Sequence, residues 1–180
     1  MLVSGNLEIP DREVRALAWV VEHMDNTGTD LKIVAFCCQY CAYKAADLAG
    51  SLRLQYPPEL RIVQIPCTGR LDMAEIMHAF EDGADGVMAL GCLEGDCHFV
   101  EGNLRARRRV EYIKKVIAAA GLEPERMDMY NLSSAMGPKF AEYAADIVER
   151  IKKLGPSPLR RTGKPTTSVP AEKSAAPAQG

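Results

Sequence analysis

The stretch Leu31-Lys32-Ile33-Val34-Ala35-Phe36-Cys37-Cys38-Gln39-Tyr40-Cys41 sets an apolar run directly before three cysteines, and its pattern recurs downstream. Leu31 to Phe36 is too short for a helix and rich in large apolar residues, so it reads as a buried strand. The alanine-rich segment from Cys41 to Leu54 reads as the helix that follows. Pro57-Pro58 breaks the pattern before a second strand at Leu60 to Ile65, and a helix from Asp72 to Glu81 turns Ile76, Met77 and Phe80 inward. A third strand spans Gly86 to Leu90, with a long helix after it through Val110, Ile113, Ile117 and Ala120. A fourth strand from Arg126 to Tyr130 precedes a helix that has Pro138 in its first turn and Phe140, Ala144, Ile147 and Ile151 on one face. Such alternation predicts an α/β fold. Its centre is a small parallel sheet of about four strands with helices on both faces, because each parallel connection needs a crossover.

The cysteines fall at one position in that repeat. Cys37 and Cys38 follow the first strand, Cys67 the second and Cys92 the third. Parallel strands share their carboxyl edge, where open α/β sheets place ligands, so these thiols are expected to meet there. Cys41 and Cys97 lie a few residues further on. Consecutive residues leaving a strand point in different directions, which makes Cys37 a packing residue and Cys38 the one that faces the site. Clustered thiolates select zinc, copper(I) or iron-sulfur clusters, and four of them complete a tetrahedral zinc site or a 2Fe-2S cluster. The Cys38-Gln39-Tyr40-Cys41 pair also fits a thioredoxin-like dithiol at a helix start. Gly91, Gly95 and Gly102 flank the third strand's cysteines and let the backbone close around a bound group. Arg70 near Cys67, and His98 beside Cys97, are candidates for contacts around it; the C-x4-C-H spacing at His98 does not match haem attachment.

Composition narrows the function class. The chain has 180 residues, 47% hydrophobic and 26% charged, with a net charge of −2, which suits a soluble protein and supplies no field for nucleic acid. The longest apolar run near the start, Ala16 to Val21, follows no basic leader, and nothing approaches the roughly 20 apolar residues of a membrane span. Cysteines in a chain too large to need disulfide staples imply a reducing compartment, here the cytoplasm. Residues 1–30 are expected to form a helical extension with Val14, Leu17, Val21 and Met24 on one face. Residues 31–154 are expected to form the α/β domain, and 155–180, with five of the eleven prolines, a disordered tail. Without that tail, 18 basic side chains face 23 acidic ones. Arg105, Arg107, Arg108, Arg109, Lys114 and Lys115 form one basic segment, read either as a solvated helix face or as cations that favour a reduced, anionic cluster. No G-x-G-x-x-G follows a strand, which argues against a tightly bound dinucleotide.

Several ordered motifs then resemble one family. They are Phe36-Cys37-Cys38-Gln39-Tyr40-Cys41-Ala42-Tyr43, Ala46-Asp47-Leu48-Ala49-Gly50, Tyr56-Pro57-Pro58, Cys67-Thr68-Gly69-Arg70, Gly83-Ala84-Asp85-Gly86 and Gly91-Cys92-Leu93-Glu94-Gly95-Asp96-Cys97-His98-Phe99. Over roughly Lys32 to Lys153 the chain is similar to the iron-sulfur delta subunits of methyl-viologen-reducing hydrogenases. The resemblance implies an electron-transfer subunit with one 2Fe-2S cluster, held by four of Cys38, Cys41, Cys67, Cys92 and Cys97. It also implies a partner like the flavoprotein subunit of heterodisulfide reductase, with a hydrogenase, formate dehydrogenase or similar oxidoreductase as the other. Two departures stand out: Gln39-Tyr40 replaces the family's common Asn-Trp, and the chain carries an N-terminal segment that many members lack. The competing expectations are a dithiol oxidoreductase using Cys38 and Cys41, and a structural zinc module.

Overall fold

The computed structural model describes residues 31–160; the expected N-terminal helix and the tail beyond Arg160 lie outside the described residues. Four strands, β1 (Ile33–Cys38), β2 (Leu60–Ile65), β3 (Gly86–Gly91) and β4 (Met127–Asn131), form one sheet in the order β2-β1-β3-β4. All pairings are parallel: Cys38 lies opposite Ile65, Cys37 opposite Leu90, and Gly91 opposite Asn131. Composition explains the order. β1 (IVAFCC) and β3 (GVMALG) are buried at every position, as central parallel strands must be, whereas β2 and β4 carry Arg61, Gln64 and Asp128 at exposed or half-buried edge positions.

The helices are α1 (Ala42–Ser51), α2 (Met73–Glu81), α3 (Gly102–Ala119) and α4 (Gly137–Leu154). On one face, Ala42, Ala45, Ala46 and Ala49 of α1 and Phe140, Ala144, Ile147 and Ile151 of α4 cover Ile33, Ala35, Met88 and Leu90. On the other, Ile76 and Phe80 of α2 with Val110, Ile113 and Ile117 of α3 cover Val34, Phe36, Val87 and Ala89. Two helices on each face are what right-handed crossovers produce when the chain runs from β1 outward to β2 and then back across to β3 and β4. Asp72 caps α2 through a box with Glu75, each side chain accepting the other's backbone N–H at 2.9 and 3.1 Å.

Of the boundaries that differ from the expected ones, three have a clear local reason. Cys37 and Cys38 are the last two residues of β1, not the first beyond it, because cysteine continues a buried apolar run. α1 ends at Ser51, where Arg53 takes a left-handed φ of 54° and the Leu54 N–H returns to the Ala49 carbonyl at 2.9 Å. Arg126 belongs to a short 3-10 turn, Pro124–Arg126, that precedes β4.

Arg126 is also buried, at 1% exposure, and it anchors the chain beyond α4. Its guanidinium donates to Glu123 Oε2 at 2.6 Å, to the Asp85 and Gly155 carbonyls at 3.0 and 2.8 Å, and to the Pro156 carbonyl at 3.3 Å. Asp85, wholly buried, accepts the Lys32 N–H at 2.8 Å and the Ser157 N–H at 2.7 Å. Residues 155–160, expected to begin the tail, therefore pack onto the body. Asp85→Ala leaves one buried and one half-buried amide without an acceptor and is expected to cost about 3 kcal/mol. Urea unfolding followed by circular dichroism measures this, and a loss under about 1 kcal/mol would show that the tie carries little.

Candidate metal centre

Between β1 and β3 the strand order reverses, since one connection leaves toward β2 and the other toward β4. Such a switch point opens a crevice at the carboxyl ends of the two central strands. Cys38 ends β1, Cys41 precedes the first turn of α1, and Cys92 follows β3, so one thiol from each wall and one from the adjoining helix start face each other. Their sulfurs all lie within 4.8 Å of one another, and Cys38 Sγ stands 3.9 Å from Cys92 Sγ. Two sulfurs on one tetrahedral metal ion, with bonds of about 2.3 Å, stand about 3.8 Å apart. The Cys38–Cys92 spacing fits shared ligation closely, and all six cysteines are free thiols.

Cys67 and Cys97 meet at a second point in the same crevice. A Cβ added to Gly102, the first residue of α3, would stand 2.5 Å from Cys67 Sγ and 3.2 Å from Cys97 Sγ. One built on Gly69 would stand 2.7 Å from the Gly102 Cα. The Cys67 loop and the start of α3 thus touch backbone to backbone, a closeness that only two glycines allow. The helix start also places its partial positive charge beside the sulfurs.

Backbone N–H groups point at the thiols as well. Gly69 donates to Cys67 Sγ at 3.3 Å, Tyr40 and Cys41 donate to Cys38, and His98 donates to Cys92. The Cys41 thiol, donating to Cys38, pulls the Cys38 pKa down to about 6, with the neighbouring amides adding to the effect against the cost of burial. Cys41 is pushed up for the same reason, by the hydrogen bond that it gives Cys38 and then by burial. Burial pushes up Cys67 and Cys92. The thiols thus share protons, because several thiolates side by side repel; a bound cation removes that penalty and lets all ionise. Cys37 stands apart: it is wholly buried in the helix-covered core, and burial holds its thiol protonated.

The other expected contacts are placed as follows. His98 reaches Cys92 through its backbone; its exposed ring stacks on Tyr40 with centroids 3.9 Å apart. The Arg70 N–H bonds the Cys67 carbonyl at 3.0 Å, and its side chain is exposed. Gly91 packs against Thr68, where a Cβ would meet the hydroxyl at 3.0 Å, and Gly95 turns the Cys92–Cys97 loop at a φ of 86°. Of the basic segment, Arg105 pairs with Glu101 at 3.7 Å, and Lys114 with Asp128 at 2.9 Å. Arg109 holds the Gly69 carbonyl at 3.2 Å and also the Leu71 carbonyl, while Arg107 holds Asn131 and stands 3.3 Å from Glu94. These two arginines tie down the loops that carry the cysteines.

Two further residues, not singled out by the sequence reading, fix the Cys92 backbone. Asn103, at 1% exposure, donates to the Cys92 and Leu93 carbonyls at 3.0 and 2.8 Å, and Asn131 donates to the Cys92 carbonyl as well. A clue lay in Asn103 itself, a short amide directly after the glycine that opens a helix.

A family model described as the delta subunit of methyl-viologen-reducing hydrogenase matches residues 33–155. The chain belongs to this delta-subunit family. Among its relatives, the iron-sulfur subunit of the F420-non-reducing vhu hydrogenase of Methanocaldococcus jannaschii is 44% identical over 131 residues, which cover 73% of this chain and 98% of that protein. The iron-sulfur subunit of the F420-non-reducing hydrogenase of Archaeoglobus profundus is 45% identical over 129 residues, covering 72% and 94%. A different relative is a polypeptide of the ferredoxin:CoB-CoM heterodisulfide reductase of Methanosarcina mazei, 35% identical over 131 residues; these cover 72% of this chain but 16% of that longer protein. In delta-subunit terms, the matched region takes in every strand, every helix and all six cysteines described above.

Gly102→Ala tests the glycine contact. The added methyl collides with a movable sulfur, so the chain should fold normally, with unchanged circular dichroism, while bound iron falls to less than about half. Full iron content in this variant would show that Cys67 has room to spare.

Proposed function

We propose that this chain is an electron-transfer subunit that holds one 2Fe-2S cluster on four of Cys38, Cys41, Cys67, Cys92 and Cys97. The observation that carries the reading is the arrival of five free thiols from three strand ends in one crevice. Cys38, Cys41 and Cys92 supply three ligands, and the pair at Gly102 supplies the fourth. When bound, such a cluster accepts and gives up one electron at a time. The chain's own part is to bury the ligating sulfurs, direct amide N–H groups at them and present a helix start, each of which stabilises added negative charge. Arg70, Gly91, Gly95 and His98 shape the loops around the site.

The relatives' names, and the likeness to part of a longer heterodisulfide reductase polypeptide, support the partners. Electrons pass between a hydrogenase, formate dehydrogenase or similar oxidoreductase and a heterodisulfide-reductase-like flavoprotein. No described helix is long and apolar enough to cross a membrane, and the reduced thiols suit a cytoplasmic setting. Access weighs against a dithiol oxidoreductase: Cys38 is 1% exposed, and exchange with a protein disulfide requires an accessible thiolate.

Anaerobic purification followed by iron, sulfide and zinc analysis, visible absorption and paramagnetic resonance tests the reading. We expect about two iron and two sulfide per chain and a resonance signal on reduction; a colourless protein with zinc, or with no metal, refutes it. Cys38→Ser should lose the cluster, whereas Cys37→Ser should keep it.

A further inference from the structure

The loop from Cys97 to Glu101 exposes apolar surface where the fold gives no reason for it. Phe99 is 52% exposed and Val100 80%, side by side, between a cysteine and the start of α3. Val100 is a β-branched residue held at a φ of 64°, in the left-handed region that such residues avoid. The loop is held in this form: the Val100 N–H bonds the Cys97 carbonyl at 2.9 Å, and the Glu101 N–H bonds the Phe99 carbonyl at 2.7 Å. The Phe99 ring stands edge-on to His98 and to Tyr40, with centroids 5.3 and 5.8 Å away, while Tyr40 and His98 stack on each other. The patch is thus built by the neighbours of three site cysteines: Tyr40 lies beside Cys41, His98 beside Cys97, and the His98 N–H bonds the Cys92 sulfur. Glu94, Asp96 and Glu101, in the same stretch of chain, are exposed as well. A strained backbone that presents apolar side chains to solvent is the arrangement expected of a contact surface.

We propose that Tyr40, His98, Phe99 and Val100 form the surface on which a heterodisulfide-reductase-like flavoprotein docks to exchange electrons with this chain. The assignment rests on the functional reading above and adds the place of contact. The occupant follows from the relatives: in two Methanosarcina proteins the stretch similar to this chain is part of a longer heterodisulfide reductase polypeptide, so the remainder of that protein is its constant neighbour. Position is argued from the fold. Electron transfer weakens steeply with distance, and this patch is built on the same loops as the thiols. The described chain's two ends are tied together at Asp85, before β3, whereas the cysteines gather at the strands' other ends. A tether at those ends leaves the patch uncovered.

The test uses the full chain, loaded with its cluster, and the host's own heterodisulfide-reductase-like flavoprotein. Phe99→Ser combined with Val100→Ser should keep iron content and visible spectrum, because both side chains are exposed, but weaken binding by about tenfold or more in titration calorimetry. Tyr112→Ser, which removes a comparably exposed ring ten residues into α3, should bind as the unaltered chain does. If the double change lowers cluster content, Val100→Gly, which suits the left-handed backbone, provides the same readout. Binding within about twofold of the unaltered chain overturns the assignment of the surface. Failure of the unaltered chain to bind the flavoprotein overturns the functional reading, and the assignment with it. Normal flavoprotein binding with lost binding to the hydrogenase side places the other partner on the patch, which also overturns it.

Discussion

Parallel pairing of β1 with β2 on one side and β3 on the other obliges three carboxyl ends to share an edge, and the rest of the site follows from that. A cysteine at or within two residues of each end is thereby brought to the crevice. The pairing is secured by burial: every residue of the two central strands is covered by helices, so a shift of register would expose part of a continuous apolar run or drive Arg61 or Asp128 inward. The strand ends that lead to the sulfurs are therefore as firmly placed as the core itself. Loops contribute only the final ångströms.

Those final ångströms rest on backbone and not on side-chain bulk. Gly69 against Gly102 brings Cys67 to Cys97, and the buried amide of Asn103 holds the carbonyls of Cys92 and Leu93. Arg107 and Arg109, on the same helix as Asn103, brace the loops from outside. One helix, α3, thereby organises two of the three cysteine-bearing loops. The amides that donate to sulfur lie in the same loops, so the elements that shape the crevice also set its charge preference.

Much of this was legible in the sequence, because the signals involved are local. Apolar runs, Pro57-Pro58 and the cysteines at the ends of the first three strands determine the order of elements, and β2 has the expected limits, Leu60 to Ile65. Where β1 ends was not legible to the residue: Cys37 and Cys38 extend the strand, and its alternation sends the first into the helix-covered core and the second toward the crevice. Gly102 was marked in the sequence as a glycine that lets the backbone close in, but its partner Cys67 was not; the roles of Asn103 and Asn131 are long-range, since each holds a carbonyl at least ten residues away in the chain. Arg126, expected to open the fourth strand, lies in the turn before it. A charged residue near a strand start suggests an exposed edge, yet four oxygens spread along the chain satisfy its guanidinium inside the fold.

The Asp85 carboxylate joins Lys32, just before β1, to Ser157, just after α4. Neighbouring ends make a domain portable, because it can be inserted into or appended to a longer polypeptide without disturbing its interior. The length relationship among the relatives fits this economy: the same unit makes up nearly all of one protein and about a sixth of another. One buried acid, set at the opposite ends of the strands from the sulfurs, thus holds together the two points at which the unit joins any flanking chain.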